Sequence, residues 1–196
     1  KWLLKHELYN KAQTQDLWLS DTLTINSKTY YQTSIQDSKK RNRLIGYFRE
    51  DKVSGKAWFR GIEDSCEYLI MDLGLAEGDS IEVKMYGHEN RYAKVIAAET
   101  LNGKKTITTD FKFGGGYIKE YLTFIEGVGP NASILFQVDN PTCEKINPLF
   151  GFLVCKKYED NNLVYAWDTV NFTCGQMHQY TGEFQPDGVM VYPNPK

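Results

Sequence analysis

The chain has 196 residues, 23 basic against 25 acidic for a formal net charge of -2, and 14% aromatics made of 13 Tyr, 10 Phe and 4 Trp. That length suits one full domain or two small ones and can bury a real core. The balanced charge excludes a broad electrostatic footprint for nucleic acid and a polybasic patch for anionic lipid, and no apolar run approaches the ~20 residues that a membrane-spanning helix needs.

In chain order, WLLKHELYNKAQ (2–13) places Trp2, Leu3, His6 and Tyr9 at helical spacing, which predicts one short N-terminal helix. HELYN (6–10) has the His-Glu of a zinc-protease helix, but Asn10 stands where the second His must be. One imidazole cannot supply that site, and the three histidines are scattered singly, so no metal is expected. From there the pattern is strand, turn, strand. LTINSKTYYQTSI (23–35) alternates around an Asn-Ser-Lys turn. KKRNR (39–43) reads as a solvated loop. RLIGYFREDKVSGKAWFRG (43–61) reads as a hairpin with tip DKVSGK, where Ser54-Gly55 supplies positive φ.

LAEGDSIEVKMY (75–86) supplies another strand, and RYAKVIAAETLNGKKTITTDFKF (91–113) is the clearest hairpin. Asn102-Gly103 lies between its two β-rich runs, and Asn-Gly suits the positive φ of the primed turns. The rhythm breaks from Tyr117 to Thr142, after GGGY (114–117). Those glycines read as a turn, because no Lys-Ser pair follows to make a phosphate cradle. FGFLVCKKYEDNNLVYAW (150–167), with Asn161-Asn162 at a hairpin tip, and MVY (190–192) close the series. The expected fold is therefore all-β: an antiparallel meander forming a sandwich or barrel, with one short N-terminal helix. Residues 1–190 read as a single domain.

No nucleophile elbow of the G-x-S-x-G kind is present. The carboxylates nearest aromatic runs are Glu126 in FIEGVGP and the pair Glu50-Asp51 in FREDKV. A polymer hydrolase would need Glu126 and a second carboxylate within about 10 Å. The plainer reading makes Glu126 an acceptor for the N–H groups of its own glycine-rich turn, and Glu50-Asp51 a solubilising pair at a hairpin tip. A binding face is the other possibility. Trp58, Phe59, Tyr92, Tyr117, Tyr121, Phe124 and Trp167 include candidate rings for stacking on a glycan or a flat protein partner, although alternating aromatics in strands also fill cores. No cofactor site is read. Four cysteines (Cys66, Cys143, Cys155, Cys174) show no C-x-x-C; they allow three full disulfide pairings or buried free thiols.

DTLTINSKTYYQ (21–32), IGYFREDKVSGKAWFR (45–60), EYLIMDLGLAEGDSIEV (67–83), LNGKKTITTDF (101–111), YLTFIEGVGP (121–130) and LVCKKYEDNNLVYAW (153–167) occur in that order. This ordered set resembles an all-β domain of exported Bacteroidetes-type proteins, over roughly residues 20–175. The sequence departs from that pattern at Ala57-Trp58-Phe59, Leu73-Gly74, Phe124 and Pro130. VYPNP (191–195) resembles the opening of a type IX secretion C-terminal sorting domain, so 191–196 is expected to begin such a domain or a linker. The resemblance implies secretion or display at the outer-membrane surface, engagement of the type IX secretion machinery, and a Cys155–Cys174 disulfide. Cys66 and Cys143 depart from the pattern and are left to pair or stay free. It also implies O-glycan acceptors at Asp-Thr/Ser before an apolar residue, namely Thr22, Ser80 and Thr169. No activity follows from the resemblance residue by residue. The expected role is a non-catalytic surface module that binds a glycan or protein partner, with a polymer hydrolase and a structural spacer as alternatives.

Overall fold

The computed structural model describes residues 2–8, 11–36, 41–83, 91–113, 120–132, 134, 151–157 and 163–166. It is all-β with two antiparallel sheets. The larger sheet is built from β1 (Trp2–Leu8), β2 (Lys11–Ile25), β3 (Lys28–Gln36), β4 (Asn42–Asp51), β5 (Lys56–Gly61) and β6 (Tyr68–Asp72) in sequence order. β12 (Gly151–Lys157) and β13 (Leu163–Ala166) return to extend it on the β1 side. The smaller sheet runs β7 (Ser80–Val83), β8 (Arg91–Leu101), β9 (Lys104–Phe113), β10 (Glu120–Ile125) and β11 (Gly129–Pro130). Consecutive strands are neighbours within each run, so the expected meander holds.

Two sequence expectations need correction. Where a short N-terminal helix was expected, residues 2–8 run as β1, laddered to β2 on one side and β12 on the other. Helical spacing of four apolar positions in so short a run does not separate a helix from a strand, and two paired neighbours decide for the strand. Within the stretch read as a break in the rhythm, the described residues Glu120–Ile125 instead form β10, paired with β9.

The turns follow from backbone chemistry. Asn26 and Ser27 both adopt positive φ (49° and 62°), as do Asn102 and Gly103 (51° and 74°). Each is therefore a primed two-residue turn, whose twist matches that of the flanking strands. At the β4–β5 tip the residue with positive φ is Gly55 (70°) alone, and its N–H returns to Asp51 O at 2.9 Å. The Asp51 carboxylate also accepts from the N–H of Val53 (3.0 Å) and the hydroxyl of Ser54 (2.8 Å). The tip is thereby fixed by its own first residue.

Burial alternates along β5, where Ala57, Phe59 and Gly61 face inward, and along β10, where Leu122 and Phe124 do. These side chains join one apolar cluster that both sheets feed, from Leu17, Ile35, Phe48 and Ile70 to Val95, Ile107 and Ile134. Bulges at Leu19/Thr22, Thr33/Ser34 and Ala57/Trp58 interrupt the larger sheet. Bulges add bend and twist, in keeping with its curl into a half-barrel. The edge strands β6 and β11 of the two sheets approach one another, and this seam positions the groove described next. Among the described residues, no helix is long and apolar enough to cross a membrane.

Candidate functional site

The sequence-predicted residues fall in four separate places. Phe124, fully buried opposite Ile107, is a core ring and cannot stack on a ligand, and Phe59 is equally enclosed. Inward alternation on β10 and β5 dictates both. Tyr117, Trp167, Thr169 and Cys174 lie outside the described residues.

Trp58 lies on β5, on the face pointing away from Phe59, directly across the ladder from Arg49 of β4. The guanidinium stacks 3.7 Å from the ring centroid. Arg49 also forks onto Glu67, Nε to Oε1 at 2.8 Å and Nη2 to Oε2 at 3.1 Å. Lys28 and Tyr30 each donate to the same carboxylate at 2.6 Å. Burial pushes the Glu67 carboxyl up, but the hydrogen bonds from Arg49, Lys28 and Tyr30 outweigh it and hold the group at about 2. Tyr30 moves the other way, raised by its burial and by the Glu67 carboxylate it serves. With its guanidinium committed to Glu67 and Trp58, this cluster reads as a structural clasp.

Glu126 lies at the seam, in a groove of about 500 Å³. The groove is lined by the β4–β5 tip (Glu50 to Lys56), the exit of β6 (Met71, Leu73, Gly74), Lys105 of β9, and Glu126-Gly127. It therefore gathers the three carboxylates singled out in sequence, Glu50, Asp51 and Glu126. Glu126 accepts from the backbone N–H of Lys105 across the ladder at 2.9 Å, rather than from its own turn, and its own N–H donates back to Lys105 O at 2.9 Å. Glu50 pairs with Lys52 at 3.6 Å. The Ser54 hydroxyl and the N–H groups of Val53 and Ser54 hold the Asp51 carboxyl below its usual range. Asp51 is thus suited to remain ionised and unsuited to donate a proton.

Tyr121 lies on the solvent face of the smaller sheet, 41% exposed, opposite Lys112 of β9, whose ammonium sits 4.7 Å from its ring centroid. Tyr92 of β8 is 73% exposed and pairs with Glu82 of β7. Val95 opposes Thr109 with both side chains buried. Tyr92 and Tyr121 are exposed rings on β8 and β10, the strands that flank β9 in the smaller sheet. Side chains patch the backbone of this sheet. Asp110 accepts from Lys94 N at 2.8 Å. Asn131 accepts from Thr123 N at 2.8 Å and donates to Tyr121 O at 2.9 Å.

Sequence reading missed Lys112, Asp110, Asn131 and Lys105, because each acquires its role from a cross-strand partner. Continuing period-2 alternation from the Asn102-Gly103 turn would have placed Lys112 and Asp110 on the solvent face. Nothing local marks Asn131 or Lys105.

Thr22 and Ser80 are exposed, the first just past a bulge in β2 and the second opening β7. Cys66 is disulfide-bonded. Cys155 lies on β12, opposite Leu3 and Ala166. Among the described residues, no group of three His, Cys, Asp or Glu side chains is arranged to hold a metal ion. Comparison with known proteins finds no matching family model, no matching curated protein and no matching solved structure.

Proposed function

We propose that this chain is an exported, non-catalytic recognition module that binds a glycan through the exposed rings Tyr92 and Tyr121 of the smaller sheet. The observation that carries the reading is a pair of exposed tyrosines on the smaller sheet, one of them with the Lys112 ammonium over its ring. Tyrosine combines an apolar ring with a polar tip, so it stacks on a sugar face while remaining soluble when unoccupied. The disulfide at Cys66 supports export, since disulfides persist in oxidising compartments. Type IX secretion, surface or secreted localisation, and O-glycans at Thr22 and Ser80 rest on the sequence resemblance.

The test is a binding screen against plant, microbial and host glycans, with released sugar assayed in parallel. Tyr92→Ala or Tyr121→Ala is expected to weaken binding about tenfold, the scale of a truncated aromatic anchor. A second reading, an extracellular polymer hydrolase, is favoured by one observation: the groove brings Glu126 together with Glu50 and Asp51. Sugar release abolished by Glu126→Gln would establish it in place of the first. No binding and no release would leave a protein partner or a structural spacer role.

A further inference from the structure

The solvent side of the smaller sheet carries more than two tyrosines. On β8, exposed Tyr92 and Lys94 alternate with buried Ala93 and Val95. On β9, exposed Asp110 and Lys112 alternate with enclosed Thr109 and Phe113, and on β10 exposed Tyr121 precedes buried Leu122. Period-2 alternation therefore puts these exposed side chains on one face.

The sheet is irregular where Lys112 meets Tyr121. Tyr121 opposes Lys112, whereas Thr123 opposes Thr108, so β9 is the longer strand between the two pairs and bulges there. Side chains hold the bulge. The Thr109 hydroxyl donates to Leu122 O at 3.1 Å and accepts from Phe111 N at 3.3 Å, while Asp110 accepts from Lys94 N at 2.8 Å. Bulges re-aim side chains and recur beside sites. Here Lys112 leaves the bulge with its ammonium 4.7 Å from the Tyr121 ring centroid. At the other end of the bulge the Thr108 and Thr123 hydroxyls lie 3.4 Å apart, a polar contact next to an aromatic one.

Resting on the glycan reading above, we infer that the glycan is acidic: a uronic-acid oligosaccharide with one carboxylate on each sugar ring. The sugar stacks at Tyr121, and its carboxylate takes the Lys112 ammonium. A carboxylate borne directly on the stacked ring comes within reach of a cation already held over that platform. A neutral sugar offers the ammonium only hydroxyl acceptors, whereas the carboxylate makes a charge-assisted hydrogen bond roughly twice as strong. An amino sugar would set like charges together. A densely sulfated chain would meet Asp110 on the same face and Glu82 opposite Tyr92, on a protein of net charge -2.

The test titrates the isotopically labelled full chain with trigalacturonic acid and with its methyl ester, following backbone amides by NMR at low ionic strength. The acid is expected to bind about tenfold more tightly than the ester. That comparison uses the unaltered chain. Lys112→Met is expected to remove the preference and leave ester binding in place, Lys112→Arg to keep it, and Tyr121→Ala to weaken both ligands. Equal binding of acid and ester, both weakened by Tyr121→Ala, would overturn the acidic ligand and leave the glycan reading standing. Failure of the acid to bind, a preference that survives Lys112→Met, or tighter binding of a heparin-derived oligosaccharide would also overturn it. Silence across the whole glycan screen would remove the glycan reading itself.

Discussion

Glu67 takes the Arg49 fork, the Lys28 ammonium and the Tyr30 hydroxyl on one carboxylate. Its carboxyl sits at about 2 against an ordinary 4.5. The unfolded chain therefore binds the proton first as pH falls. The stabilisation is complete above about pH 4.5 and is lost as pH drops toward 2. Allowing for partial exposure, it amounts to about 2–3 kcal/mol. Glu67→Gln is expected to cost that much at neutral pH and to flatten the acid limb, as urea unfolding at a series of pH values would show. A parallel slope in the variant would reject the assignment. At Thr33 the opposite holds. Its hydroxyl is buried with no hydrogen-bond partner, so Thr33→Val removes an unmet polar group at nearly constant shape. A gain of about 1 kcal/mol in chemical denaturation is expected. Neither result is legible in sequence, where Glu67 follows a cysteine in a short loop and Thr33 is one of several β-branched strand residues.

Among the elements, the β4–β5 pair depends on Gly46. Its partner across the ladder is Gly61, and the Phe59 ring lies against it. A Cβ there would overlap the Arg60 carbonyl oxygen and the ring. Gly46→Ala is expected to destabilise by about 1–3 kcal/mol through overpacking, measured as a fall in the denaturation midpoint at unchanged slope. In the sequence, a glycine inside LIGYFRE reads only as a weak point in a strand; its partner ring makes it a requirement. On β10, Asn131 completes the edge that the two-residue β11 leaves short. Asn131→Ala strips the acceptor from Thr123 N–H and the donor from the Tyr121 carbonyl, at a cost of about 1–3 kcal/mol. It is expected to raise amide exchange along β10 and to weaken any ligand held by Tyr121. Protection of β10 equal to that of the parent chain would argue against this role.

For the whole molecule, the sheets meet through one shared core and approach again at the β6–β11 seam, and Cys66 ties the β5–β6 loop by a disulfide. With Cys155–Cys174 expected from the resemblance, Cys66 is expected to pair with Cys143. A non-reducing peptide map should recover those two linkages, and any linkage of Cys155 to Cys66 or Cys143 would refute the pairing. Reduction is expected to lower stability by about 2–4 kcal/mol and to loosen the adjacent Glu67 clasp first, read as increased amide exchange around Lys28 and Arg49.

By itself the sequence determined an all-β class, most of the strands, a turn at Asn26-Ser27-Lys28 and the primed turn at Asn102-Gly103, because turn chemistry and period-2 alternation are local properties of the chain. Its first twelve residues misled, since a short apolar run satisfies helix and strand spacing alike until neighbours supply hydrogen bonds. The tertiary structure alone decided which aromatics are sites: Phe124 and Tyr121 are three residues apart on one strand, yet one is core and the other faces solvent. It also decided that Glu50, Asp51, Lys105 and Glu126 share a groove, although they are separated by up to 76 positions (126 − 50). Proximity across two sheets arises from how strand edges meet when a common core is buried, and no local pattern encodes that meeting.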